Sequence, residues 1–377
     1  MPRRAAQIRT DAEMARLIAV AVVRLRTVLD AHGWLRPPYD PDIQRCLDLC
    51  SARNIDEGGE RWPASVAALV KVASLPFDAW MADTAGWDPD AAFTAEPLVE
   101  GEQTTATCRE LAAEVDGHSP EDELVETQGF TEFRTACAAQ RDGQASYALW
   151  RRFVVEHPVN EGLARVMVSM PEMGNIVGIE QAFQTFYEPL PAAYADADGM
   201  VPICRVSGTV LRRGRGGLAF ETESRDPEAV RLARAGKCDG RAWALNLRML
   251  KRPFRSFWCL PGKAEVELMD RLIGLGWSVE PWPDLDRVDL VATSPEGSRR
   301  VAVDVKDFAS PTLLAARFEG FKGYERTHDC YLAVPDARLS ADRTYASVFA
   351  NLRASLGKKP VALRSVSRLA TELGRAG

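Results

Sequence analysis

Four residues in the last third of the sequence have types and spacing suited to phosphodiester hydrolysis. Asp289 and Asp304 lie in two short apolar runs, 288–292 and 301–305, Lys306 directly follows the second as the end of Asp304-Val305-Lys306, and Glu265 precedes them in a stretch of helical periodicity. Each run carries an aspartate where a buried strand would prefer an apolar residue. Alternation with period 2 puts Asp304 and Lys306 on the same strand face. Cutting a phosphodiester needs a nucleophilic water and neutralisation of the charge that develops on the phosphate and leaving oxygen. Mg²⁺ (or Mn²⁺) supplies both by lowering the pKa of bound water and polarising the phosphoryl oxygen. Such a cation takes hard oxygen ligands. Asp289 and Asp304 are the expected carboxylate ligands, with the backbone carbonyl of Val305 as a further one. Glu265 is expected to reach the water or a second metal. Lys306 is suited to orient or deprotonate the water, or to stabilise the pentavalent state. An isolated Asp-x-Lys is common at solvated strand ends. The weight here comes from the buried-strand context, the preceding aspartate and the upstream glutamate.

The elements that must position these residues are legible around them. The two runs flank Ser294-Pro295-Glu296-Gly297-Ser298, a turn-forming segment, and read as a hairpin. Upstream, 263–275 has Leu268, Met269, Leu272, Ile273 and Leu275 at helical spacing, with Gly276 as the stop. Residues 277–282 read as a first strand and 283–287 as a loop. Downstream, 313–324 reads as helix, 330–334 as strand, 343–356 as helix, 361–366 as strand and 367–373 as helix. The order α-β-β-β-α-β-α-β-α describes an α/β unit over 260–377, close to the usual size of a domain.

The first 200 residues predict a mainly helical region for partner binding or target placement. Helices are expected over 10–32 (Thr10 and Glu13 as a capping box, Gly33 as the stop), 41–51, 64–82 with a break near Pro76, 133–157 and 160–170. Cys46 and Cys50, four apart, suit two buried side chains on one helix face better than a metal pair. Residues 82–130 hold thirteen acids against one base, Arg109, and read as a loop-rich solvated surface. Phe183, Phe186 and Tyr187 read as core. The charge then reverses: 204–263 holds fourteen Lys and Arg against five acids. Residues 201–259 are therefore a basic connecting segment with a small β element, strands at 205–211 and 218–222 flanking a basic turn. Arg212, Arg213 and Arg215, with Lys251, Arg252 and Arg255 interleaved with Phe254, Phe257 and Trp258, suit a nucleic-acid backbone. Cys204 and Cys238 lack the partners of a four-ligand zinc site.

Length and composition bound the rest. The chain has 377 residues, 46% hydrophobic, and a formal net charge of −6. Its eight scattered cysteines predict reduced thiols rather than a disulfide framework, and no apolar run is long enough to span a bilayer. A cytoplasmic protein without a membrane segment is the expectation. The absence of a Gly-rich phosphate loop or nucleophile elbow disfavours a small-molecule α/β enzyme.

The layout Glu265, Gly276, Asp289, Asp304-Val305-Lys306 resembles the PD-(D/E)xK, or restriction-endonuclease-like, nuclease superfamily over about residues 260–366. It is similar to archaeal Holliday-junction resolvases and type IV-like restriction nucleases. The first aspartate departs from the pattern, reading Val-Asp at 288–289, whereas Pro-Asp stands at 283–284 and Asp286 is close. Asp289 is favoured because it lies inside the strand. Pro261-Gly262-x-x-Glu265, Trp282-Pro283-Asp284, the run from Ala302 to Pro311 and Tyr331 to Asp336 resemble the nuclease component encoded beside prokaryotic PIWI-RE proteins. The resemblance implies an α/β C-terminal restriction-endonuclease-like domain, a mixed sheet flanked by helices, behind the helical N-terminal region. It further implies a Mg²⁺-dependent DNA endonuclease that works with a PIWI-RE protein and a helicase in defence against foreign DNA. A homodimer is a further assembly open to such a chain. The alternative is a non-cleaving nucleic-acid-binding or scaffold subunit that keeps the fold.

Overall fold

The computed structural model describes residues 11–81, 96–117, 120–176, 178–214 and 219–375. By packing, the chain divides into two units. Unit one takes residues 1–116, 308–318 and 344–360; unit two takes 117–307, 319–343 and 361–377. The division follows contacts rather than chain order. The helices Pro311–Arg317 and Tyr345–Ser355, which interrupt the C-terminal α/β pattern, belong to unit one.

Unit one is helical, built on Asp11–His32, Pro41–Glu57, Val66–Ala73 and most of Ala106–Gly117. Ile18, Val22, Cys46, Trp62, Leu69 and Leu111 share its core with Leu313. Thr10 of the expected capping box lies outside the described residues. The second helix runs six residues past the expected end at Ser51. Nothing between 52 and 57 breaks it, and it stops at Gly58 in the left-handed conformation (φ 68°). Cys46 and Cys50 are both fully buried. A hydrogen bond to Cys50, together with burial, pushes the Cys46 thiol well up. Residues 82–95 of the acidic stretch, with 118 and 119, lie outside the described residues. The remainder is not loop-rich: Ala106–Gly117 and Pro120–Ala138 are helices. Cys108, Leu111 and Ala112 recur on one buried face of the first. A charge count sums over both faces of a helix and hides that amphipathic pattern.

Unit two is organised on a five-stranded mixed sheet in spatial order β1-β2-β3-β4-β5: β1 Ser278–Pro281, β2 Leu290–Thr293, β3 Arg300–Val305, β4 Asp329–Val334 and β5 Ala362–Ser365. The first three strands are antiparallel, with Leu290 opposite Val303. β4 and β5 join in parallel, with Asp304 opposite Leu332. The expected hairpin is thus present, as is the strand order of the α/β pattern. Leu268 and Leu272 of the helix Leu260–Gly274 and Leu369 and Leu373 of Val366–Gly374 pack into one core with Val303 and Ala333. The same core takes Trp150 and Phe153 from the helix Gly143–Glu156, together with Phe186, Phe254 and Trp258. The aromatic cluster is indeed core: Phe186 stacks on Phe254 at 3.8 Å and Phe183 on Tyr187 at 4.7 Å.

Four expectations about elements along the chain need correction. The run 133–157 is two helices, because the chain turns at Gln140-Arg141-Asp142. Gly143 is required there, since a Cβ would lie 1.8 Å from the Cys137 carbonyl oxygen. The helix carrying Glu265 does not begin at Lys263. Helical backbone already runs from Arg252 through one wide turn, Arg255–Cys259, that accommodates Pro261. The expected helix 313–324 stops at Arg317, ahead of left-handed Gly320 and Gly323. Arg212 and Arg213 lie in a short strand paired with Phe220–Glu221, not in a flexible turn.

Candidate active site

Asp289, Asp304 and Lys306 meet at one end of the mixed sheet. Asp289 is the last residue before β2, one position short of the strand interior, and is 7% exposed. Asp304 is on β3 and also buried. Lys306 directly follows β3, its N–H continuing the ladder to the Ala333 carbonyl at 2.9 Å. Lys306 Nζ lies 2.5 Å from Asp304 Oδ1 and 3.8 Å from Asp289 Oδ2. The period-2 expectation for Asp304 and Lys306 therefore holds in space. Asp289 Oδ2 also accepts a 2.5 Å hydrogen bond from the Val305 N–H, clipping β2 to β3 at the site. Neither alternative aspartate reaches this group. Asp284 is exposed and accepts from Tyr324 O–H at 2.9 Å, and Asp286 accepts from Tyr147 O–H at 2.9 Å.

Glu265 is buried, 3% exposed, on the helix Leu260–Gly274. Gly262, one turn earlier, lets that helix approach Gly143–Glu156: a Cβ at Gly262 would lie 2.5 Å from Val155 Cγ2. The Glu265 carboxylate is already engaged. Its Oε2 accepts 2.7 Å from Trp282 Nε1 and lies 3.5 Å from an Arg151 guanidinium nitrogen. Arg151, 5% exposed, is set between indoles, 4.6 Å from Trp258 and 5.8 Å from Trp282. Its Nε–H has no partner among the described residues, a desolvation cost of roughly 1–3 kcal/mol. Sequence reading passed over Arg151. The available signal was a guanidinium inside the apolar run Tyr147-Ala148-Leu149-Trp150-Arg151-Arg152-Phe153, where a buried charge is expensive unless paired.

The segment entering Asp289 is held in an uncommon conformation. Trp282, Asp284, Leu285 and Asp286 all have positive φ (45°, 53°, 55° and 79°). None is glycine, and each such residue costs about 1–3 kcal/mol unless its surroundings enforce it. The enforcement comes from the helix Gly143–Glu156. Gln144 Nε2 donates to the carbonyls of Pro281 (3.1 Å) and Trp282 (3.0 Å), while its Oε1 accepts from the Leu285 N–H (3.0 Å). Tyr147 holds Asp286, and the Trp282 N–H donates 2.8 Å to the Asp289 carbonyl.

The electrostatics follow from burying three acids near one lysine. Burial pushes the Asp289 carboxyl well above its ordinary range; Lys306 opposes this, while Glu265 and Asp304 add to it. Burial likewise raises Glu265 against the opposing pull of Arg151. Burial alone would lower Lys306, but Asp289 and Asp304 hold it above the usual lysine range. Two hard carboxylates sharing a buried pocket suit a divalent cation. Among the described residues, no three His, Cys, Asp or Glu side chains are placed to hold a metal together. Glu265 as placed faces Trp282 and Arg151 instead of completing such a set.

The basic segment behaves differently from its expectation. Arg212 (2.9 Å), Arg255 (2.8 Å) and Arg252 (3.9 Å) converge on Glu223. Arg255 is buried and also donates to the Leu250 carbonyl, so its guanidinium is committed to internal partners. Burial would raise Glu223, but Arg255 outweighs it and holds the carboxyl below the ordinary range. Lys251 Nζ donates 2.9 Å to the Gln184 carbonyl. Arg213 is exposed, and Arg215 lies outside the described residues. Cys204 and Cys238 sit in a small apolar cluster with Leu211, Ala229 and Ala233.

Residues 262–376, which contain all four residues of the candidate site, match a family model described as "REase associating with pPIWI_RE". This gives the chain a restriction-endonuclease-like component at its C-terminal end. Residues 14–161 match a second model, "pPIWI_RE three-gene island domain Y". Together the two matches place the protein in a PIWI-RE associated system. No curated protein and no solved structure gives a significant match. No helix among the described residues is long and apolar enough to cross a membrane.

Proposed function

We infer that the protein is the metal-dependent DNA endonuclease of a PIWI-RE defence system, with a restriction-endonuclease-like catalytic fold of the PD-(D/E)xK kind. The observation that carries this reading is the convergence of Asp289, Asp304 and Lys306 at one end of two adjacent strands, within a region that matches a nuclease-associated family model. Asp289 and Asp304, with the Val305 carbonyl, are the residues that would hold Mg²⁺ or Mn²⁺. The ion supplies a water of lowered pKa and a polarised phosphoryl oxygen. Lys306, paired with both aspartates, is in position to orient the water or meet the developing negative charge. The Val305 N–H holds the Asp289 carboxylate at the site. Of the basic residues expected to meet a DNA backbone, Arg213 is exposed and available for that contact. The expected partners are DNA, a PIWI-RE protein and a helicase, with a homodimer as a further assembly, and the expected compartment is the cytoplasm.

One observation favours a second reading, a subunit that binds nucleic acid without cutting it. The Glu265 carboxylate is engaged by Trp282 and Arg151. The two readings separate in a cleavage assay on plasmid, linear duplex, single-stranded DNA and RNA, with Mg²⁺ or Mn²⁺, alone and with the partner proteins. Endonuclease action requires metal-dependent cleavage that Asp304→Ala and Lys306→Ala abolish. Cleavage indifferent to both substitutions would refute the assigned site. No cleavage of any substrate, with partners present, would leave the binding subunit.

A further inference from the structure

We propose that one face of the helix Gly143–Glu156, carrying Gln144, Tyr147 and Arg151, is a clamp that positions the candidate active site, so that the functional site extends beyond the residues matching the nuclease family model. The proposal rests on the endonuclease reading for its catalytic consequence, and on geometry alone for the clamp. The spacing of 3 and 4 puts the three side chains on one helix face, and all three reach the segment between β1 and β2. Gln144 grips the backbone at Pro281, Trp282 and Leu285, and Tyr147 grips Asp286. Arg151 reaches the Glu265 oxygen that Trp282 Nε1 also contacts, and packs beside the Trp282 ring. Trp282 in turn donates its N–H to the carbonyl of Asp289. Glu265 and Asp289 are therefore set by the same loop, and that loop is held in a conformation its own residues disfavour. The clamp helix lies in residues 14–161, which match the domain Y model, yet it packs in the same unit as the mixed sheet. These three are positioning residues: none touches Asp304 or Lys306 through a hydrogen bond or ion pair described above.

The test uses the full chain with Arg151→Met, Arg151→Lys and Gln144→Ala. Arg152→Ala is the control, since Arg152 is on the same helix but pairs outward with Glu156 and Asp270. Hydrogen–deuterium exchange at the amides of Trp282, Leu285, Asp286 and Arg287 should quicken at least ~10-fold in Arg151→Met and Gln144→Ala, and stay at the wild-type rate in Arg152→Ala. In Mg²⁺-dependent cleavage, kcat should fall at least ~10-fold with KM unchanged, and Arg151→Lys, which keeps the cation, should recover part of that loss. Wild-type exchange in a folded Arg151→Met and Gln144→Ala overturns the clamp. Faster exchange with unchanged kcat overturns its catalytic role, as does an equal loss in Arg151→Lys and Arg151→Met, which would reduce Arg151 to packing. If Arg151→Met does not fold, Gln144→Ala decides by the same criteria. A wild-type chain that cuts no nucleic acid refutes the endonuclease reading instead, and the exchange rates alone then decide the clamp.

Discussion

The Val305 N–H donates a 2.5 Å hydrogen bond to Asp289 Oδ2, joining the residue that enters β2 to the one that ends β3. It ties a side chain to the backbone of the neighbouring strand at the point where Asp304 and Lys306 flank that same residue. The aspartate is thereby fixed without help from substrate, and one of its oxygens is spent on that fixing. Preorganisation of this kind lets fixed charges act on a developing charge without reorganising at the moment of reaction.

Asp289→Asn should abolish cleavage and stabilise the fold at neutral pH. The folded-state pKa of Asp289 is raised above its unfolded value by burial. Its contribution to stability is therefore fully present below the ordinary carboxylate pKa and is lost as pH rises through the folded-state value. An amide keeps an acceptor for the Val305 N–H but has no charge to bury. Thermal melts from pH 4 to 8 should show the variant gaining on the wild type as pH rises, by roughly 1–2 °C for each kcal/mol released in a chain of 377 residues. A variant less stable than wild type at pH 8 would refute this.

Lys306→Met should cost at least ~100-fold in cleavage rate and destabilise the chain at neutral and higher pH, because it leaves two buried carboxylates with no cation between them. Removing one partner from a buried charge group costs about 3–5 kcal/mol. The half-exposed lysine side chain places the loss at the lower end of that range or below it. Denaturant titration alongside the cleavage assay checks both parts.

A non-catalytic divalent ion should stabilise the wild type through Asp289 and Asp304. Ca²⁺ at about 100 times its dissociation constant would add about 2.7 kcal/mol. A thermal shift in Ca²⁺ that disappears in Asp304→Ala is the expected result. An equal shift in both proteins would show that the ion binds elsewhere.

Arg255→Ala should destabilise the protein by about 3 kcal/mol or less, since it deprives the part-buried Glu223 of its main partner while Arg212 and Arg252 remain beside it. Its effect on DNA binding should be no larger than that instability explains. Arg213→Ala should leave stability unchanged and lower the slope of log K against log salt by about 1. Binding isotherms at several salt concentrations separate the two arginines.

The sequence by itself determined the hairpin, the helix before it and the acids and lysine that meet at its end. These are local matters: period-2 alternation fixes which residues share a strand face, and a turn segment of five residues brings the flanking runs together. It also favoured Asp289 over Asp284 and Asp286 as a residue inside the strand, whereas the structure places Asp289 one position before β2, still beside Lys306. Net charge along the chain was a poorer guide. Arg212, Arg252 and Arg255 read as a phosphate surface, but in the fold they converge on a single glutamate twenty-nine or more positions from Arg252 and Arg255. Only the tertiary structure decided that Arg151, more than a hundred residues before Glu265 in the chain, would be the cation beside it. It also decided that the loop before Asp289 would be held left-handed by Gln144 and Tyr147. The reason is physical: a charge can be buried, and a strained backbone kept, only when distant groups supply the compensating hydrogen bonds, and one-dimensional spacing carries no record of which distant groups those are.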